Sequence, residues 1–193
     1  MAHNLRPFRD YSEHDVVNLY AYSGDSTLVT KGLVVKIQGE GFAPDTTQNA
    51  YDVNARLGSV GASYNNTVSL RYGATPKVAS AASGDAALGL TLLDVRETDE
   101  NGEKLVFNPR KAAEMNVVVS GQAVPVLTKG VVLYSGVTVN DPNATPHAIV
   151  GGTAGELVAI SHAAYLNIQN SATRVGRWLG KSVNGVAALK IEL

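Results

Sequence analysis

The 193-residue sequence predicts an all-β fold: a single β-barrel, β-tulip or sandwich-like domain with an extended N-terminal arm and little helix. Three observations carry that expectation. Short runs rich in Val, Thr and Tyr recur between turn-forming residues at spacings of about 8 to 12, the rhythm of a sandwich or barrel. Asn101-Gly102 and Asn65-Asn66 stand between such runs, and Asn and Gly tolerate the left-handed backbone that tight reversals need. A Thr-Lys-Gly cassette also occurs twice in register, in Leu28 to Val35 and in Val126 to Leu133. Two copies suggest a reused β corner and are too few for a solenoid.

Taken in order, residues 1–15 mix charge, aromatics and Pro with no regular period, which predicts the arm, and residues 16–193 form the β-rich domain. Val16 to Tyr22 reads as the first strand and Leu28 to Ile37 as the first cassette. Pro44 and the glycines at 39 and 41 break the pattern, and Asn65-Asn66 predicts a hairpin between Ser59 to Tyr64 and Thr67 to Tyr72. Leu88 to Arg96 reads as a strand that turns at Asp99 to Gly102 and returns through Lys104 to Phe107. Asn108-Pro109 then supplies an N-cap and a first-turn Pro for at most two turns of helix. The second cassette, Val124 to Val139, reads as two strands joined by a Thr-Lys-Gly turn. Ala148 to Ile160 allows two short strands around a bend, and Ser161 to Asn170 fits either helix or strand. Val175 to Leu179 and Val186 to Leu193 close the sheet, the last by alternation of Leu189, Ile191 and Leu193 with Ala188, Lys190 and Glu192.

Composition excludes several kinds of chemistry. Sixteen Lys and Arg against 17 Asp and Glu give a net charge of -1 without a basic run, so nucleic acid is not an expected partner. Cysteine is absent, which removes disulfides, thiolate metal sites and a cysteine nucleophile. Charged residues make up 17%, below the usual quarter or so, and Gly is frequent at 19 copies, a balance that hints at surface covered by something else. No apolar run approaches the ~18 residues of a membrane span, and the first residues lack the apolar stretch of a secretory signal. The expectation is a soluble protein made in a cytoplasm, with no membrane partner.

Candidate catalytic groups are sparse. His3, His14, His147 and His162 are the candidate bases for a Ser or Thr nucleophile, and none lies in a nucleophile elbow. Asp10, Glu13, His14 and Asp15 hold oxygen and nitrogen donors without the spacing of a known cation loop, and read as a solvated or ion-pairing patch. Asp94, Glu97, Asp99 and Glu100 invite a paired-carboxylate glycosidase reading, yet they flank a turn, where acidic residues serve solubility. Gly151 to Gly155 lacks the Lys-Ser or Lys-Thr of a phosphate loop and reads as a bend. Trp178, near Arg174, Arg177 and Lys181, is either a stacking platform or a core residue, with the core favoured. The expectation is a non-enzyme without metal or cofactor.

Ala82 to Leu92, Asn116 to Val126, Lys129 to Tyr134 and Val175 to Gly180 form a pattern of Gly and Val within residues 75–193, and in its running order that pattern resembles tailed-phage capsid decoration (cement) proteins. The resemblance implies a virion protein on the outer surface of an icosahedral capsid. It would bind the major capsid protein, form a homo-oligomer with a trimer favoured, and stabilise the shell by clamping neighbouring subunits. Under that reading Arg6, Phe8, Arg9 and Tyr11 of the arm are the expected capsid contacts. The alternatives are a glycan-binding or hydrolytic β-domain of a tail or fibre, and a self-assembling capsid or tail-tube protein.

Overall fold

The computed structural model describes residues 5–7, 12–22, 30–38, 77–151, 155–168 and 173–193. Strand β1 (Leu5–Pro7) and a 3-10 turn (Glu13–Asp15) precede β2 (Val16–Tyr22), β3 (Val34–Gln38), β4 (Lys77–Ser80), β5 (Gly89–Thr91) and β6 (Asp94–Arg96). A second 3-10 turn (Leu105–Phe107) leads into α1 (Pro109–Glu114). Then come β7 (Val117–Val119), β8 (Ala123–Leu127), β9 (Lys129–Ser135), β10 (His147–Val150) and β11 (Leu157–Ile160). Helix α2 (His162–Ile168), β12 (Arg174–Trp178) and β13 (Val186–Glu192) end the described chain. The all-β expectation holds: β2-β4-β3-β5-β8 close a barrel, and β1-β9-β13-β12-β10-β11 form a second sheet of six strands.

Both sheets face one core. Val34, Ala81, Leu90 and Leu127 from the barrel side join Val132, Tyr134, Trp178, Leu189 and Ile191 from the six-stranded sheet in a single buried cluster. Trp178 is 1% exposed and meets Tyr134 edge-on at 6.1 Å between ring centroids, so the core reading of this residue is the correct one. Burial alternates along β13 as its sequence predicts, with Leu189 and Ile191 inside and Lys190 and Glu192 outside. The expected arm contributes its Leu5–Pro7 to this same sheet, antiparallel to β9, and Leu5 is buried in the shared core.

Three local readings change. The two cassettes are not two copies of one corner. Lys31-Gly32 does turn, with Gly32 at φ 89°, but Thr128-Lys129 carries the chain from β8 in the barrel to β9 in the other sheet, and these strands pair with different partners. Thr128 is fixed there because its N–H and its hydroxyl both donate to the Asp15 carbonyl, at 2.8 and 2.9 Å. Leu88 to Arg96 is two strands rather than one. It breaks at Leu92-Leu93, where the Leu92 N–H donates to the Pro125 carbonyl, so β5 stays in the barrel and β6 pairs in parallel with β7. Lys104 to Phe107 is a 3-10 turn, with only a Thr98–Lys104 bridge left of the expected hairpin. Asn108 sits directly behind it as the cap of α1, accepting from the Lys111 N–H, and leaves no length for a strand. The expected hairpin around Asn65-Asn66 lies outside the described residues.

The seam between the sheets passes through Gly155. Its N–H donates to the Ala81 carbonyl at 2.7 Å and its carbonyl accepts from the Val34 N–H at 2.9 Å, while Ala81 N–H donates to the Val34 carbonyl. Gly155 has φ +76°, and a Cβ there would lie 2.5 Å from the Val34 oxygen. Gly155→Ala is therefore expected to destabilise the protein by about 2 kcal/mol or more, from left-handed backbone strain plus the contact. Gly102→Ala has the same kind of strain at φ +84° but open space around it, and should cost only about 1 kcal/mol. Thermal unfolding of the two variants checks the order, and equal melting temperatures would contradict it.

Candidate interaction surface

The excursion from β6 to β7 is built around Asp99. This carboxylate is buried, and its Oδ1 accepts from the Asn101 and Glu103 N–H groups, both at 2.8 Å, which fixes the turn that carries Gly102 at φ 84°. Its Oδ2 pairs with the Lys111 ammonium of α1. That hydrogen bond holds Asp99 below the usual carboxylate range; burial opposes the shift, and the two backbone donors add to it. Turn and helix are thereby tied together. Leu105, Ala112 and Val119 form a small core beneath them.

On that platform Val106 and Phe107 point outward, 59% and 83% exposed. Beside them lies a cleft of about 210 Å³, lined by Leu105, Val106, Pro109, Ala112, Val117 and Val119 among others. An aromatic ring left in water forgoes roughly 1.5 to 3 kcal/mol of burial, and an exposed apolar knob beside a cleft of mixed lining, with Gln122 among its walls, is a candidate protein contact.

A second surface has opposite character. Cross-strand register places His147, Arg177 and Lys190 side by side on the face of the six-stranded sheet turned away from the core. Glu192 on β13 is engaged by Lys190 and by Arg174, the latter at 3.4 Å. Arg177 has no ion-pair partner among the described residues, and its cross-strand neighbours are Lys190 and His147, so that Arg177 and Lys190 set like charges opposite one another. His147 itself is buried because α2 lies over it. Its Nε2 is 2.9 Å from His162 Nδ1, and its ring is 4.5 Å from that of Tyr165.

The residues singled out from sequence fall elsewhere. Arg6 is exposed on edge strand β1, while Phe8, Arg9 and Tyr11 lie outside the described residues, as do His3 and Asp10. His14 is exposed, and the Asp15 carbonyl is used at the Thr128 joint. Three carboxylates of the turn are occupied structurally: Asp94 accepts the Lys31 N–H at 2.8 Å and lies 3.6 Å from Arg96, Glu97 pairs with Lys104, and Asp99 with Lys111, while Glu100 is exposed. Among the described residues no three His, Asp or Glu side chains gather as metal ligands. Sequence reasoning missed Val106 and Phe107 because a strand reading buries alternate residues. The signal that could have found them was Asn108-Pro109 immediately downstream.

No family model, no curated protein and no solved structure matches the chain.

Asp99 also makes the platform sensitive to acid. A carboxyl held below its ordinary 3.8 favours the folded state above that value, and the benefit is lost as pH falls through the lower folded value. Asp99→Asn should therefore lower the melting temperature near neutral pH, and the gap to wild type should close as the solution is taken below about pH 3.8. A gap independent of pH in differential scanning calorimetry would contradict the role given to the Asp99–Lys111 pair.

Proposed function

We propose that this chain is a non-enzymatic virion structural protein that binds the outer surface of an icosahedral phage capsid and clamps neighbouring capsid subunits. The observation that carries the reading is the braced apolar knob of Val106 and Phe107 beside its cleft. Such a surface suits a standing protein contact, and the resemblance to capsid decoration proteins supplies the partner, the major capsid protein. Arg6, Phe8, Arg9 and Tyr11 add a contact from the N-terminal side. A homo-oligomer, with a trimer favoured, would repeat the contact, so modest individual affinities multiply through effective concentration. A glycan-binding reading loses its platform, because Trp178 is 1% exposed in the core.

Co-sedimentation with capsids lacking the protein tests the proposal. Phe107→Ser should keep the melting temperature, since the ring touches little of its own fold, and should weaken capsid binding by about tenfold or more, as loss of an aromatic anchor does. Unchanged binding by this variant would remove Phe107 as the anchor. Failure of the wild-type protein to sediment with capsids would remove the capsid reading itself.

A further inference from the structure

We propose that α2 is a pH-released flap on the six-stranded sheet, fastened by the His147–His162 pair and lifted when both rings are protonated, which uncovers His147 beside the already exposed Arg177 and Lys190. The helix has seven residues and none of them is buried outright. Isolated helices shorter than about 12 residues are marginal in water, so α2 depends on its docking. Ser161 caps it, accepting from the Ala164 N–H at 3.1 Å. Contact with the sheet centres on His147, through the 2.9 Å bond from ring to ring and the tilted packing of Tyr165.

A bond between two imidazoles needs one N–H and one lone pair. A neutral or singly protonated pair supplies both, whereas two imidazolium rings present N–H to N–H. The surroundings add to that repulsion. From β12, Arg174 and Arg177 face His147; from α2, His162 and Tyr165; one strand further, β13 carries Lys190 and Glu192, and β11 sets Ile160 opposite. Glu192 is the one carboxylate in this set and is already engaged by Lys190 and Arg174. His147 Nδ1 is buried with no hydrogen-bond partner among the described residues, so an imidazolium would bury one more N–H without an acceptor.

These conditions hold His147 below its ordinary value of 6.5, through burial first and then Arg174, His162 and Arg177. A depressed value in the docked state means that docking excludes a proton. Docking is then fully favoured above 6.5 and weakens as pH falls from there toward the lower, docked value. Once α2 lifts, His147 is free to charge and extends the row that Arg177 and Lys190 begin, so the same acidification that opens the surface makes it more cationic.

Hydrogen exchange on the full chain, corrected for intrinsic rates between about pH 7.5 and about pH 5, reads the flap directly. The probe amide is Tyr165, whose N–H donates to the Ser161 carbonyl at 2.9 Å. Below about pH 6.5 its opening constant should rise by up to about tenfold per pH unit for each proton taken up, while amides of β13 keep their protection. His162→Gln retains a hydrogen-bonding side chain at an exposed position without the second charge, and should reduce that dependence to the part set by the burial of His147 and its arginine neighbours. The inference is overturned if His162→Gln follows the wild-type pH dependence, if α2 keeps its protection throughout, or if α2 and β13 lose protection together.

Discussion

At Gly155 one residue hydrogen-bonds to the barrel in both directions, its N–H donating to the Ala81 carbonyl and its carbonyl accepting from the Val34 N–H. A core shared by two sheets brings backbone at their edges under cover, and buried peptide groups must be paired. Here the connection between β10 and β11 is pulled against β3 and the end of β4, and only a residue without a Cβ fits so close to the Val34 carbonyl. The same region is closed by side chains. Asp85 pairs with Lys36 at 2.7 Å and accepts the Ala82 N–H, and the Thr173 hydroxyl donates to the Asp85 carbonyl. Asp15, Thr128 and Leu193 make a comparable joint from backbone, since the Leu193 N–H donates to the Thr128 carbonyl. The apolar core supplies the attraction between the sheets, and these polar joints set how the sheets sit on one another.

Strands that one periodicity describes were readable from the chain. Val16–Tyr22 is the strand its composition suggested, Val186–Glu192 lies where alternation put it, and Asn108-Pro109 marked the start of α1 because cap chemistry acts over a single turn. What could not be read was which sheet a strand joins. Leu88 to Arg96 looks continuous, yet it serves the barrel and the β6-β7 pair in succession, and Val124 to Val139 changes sheet at Thr128. Both decisions are made by hydrogen bonds to distant residues, Pro125 and Asp15, which no local pattern encodes. The exposed Val106–Phe107 surface was hidden for a related reason. Exposure of Phe107 follows from the turn that Asn108 and Leu105 impose, not from the apolar character that first assigned it to a strand.

The excursion holds its exposed ring because it is small but thoroughly tied. A turn of five residues could fray, and a short helix such as α1 has little stability alone. Asp99 links the two through a buried ion pair with its remaining lone pairs satisfied by backbone donors, the condition under which burying charge is tolerated. Leu105, Ala112 and Val119 add the apolar underside. A contact group presented on ordered backbone loses less entropy on binding than one on a loose loop.

The two surfaces also stand in a fixed relation. The excursion springs from β5 and β8, neighbours in the barrel, whereas the cationic row lies on the outer face of the six-stranded sheet, whose inner face packs with the barrel on the common core. The row therefore faces away from the barrel that carries the knob. One is apolar and so not subject to charge screening; the other is charged and solvent-facing, where screening acts within about 10 Å at moderate ionic strength. Ionic strength therefore acts mainly on the row, by screening, and acid acts there too, where His147 stands in line with Arg177.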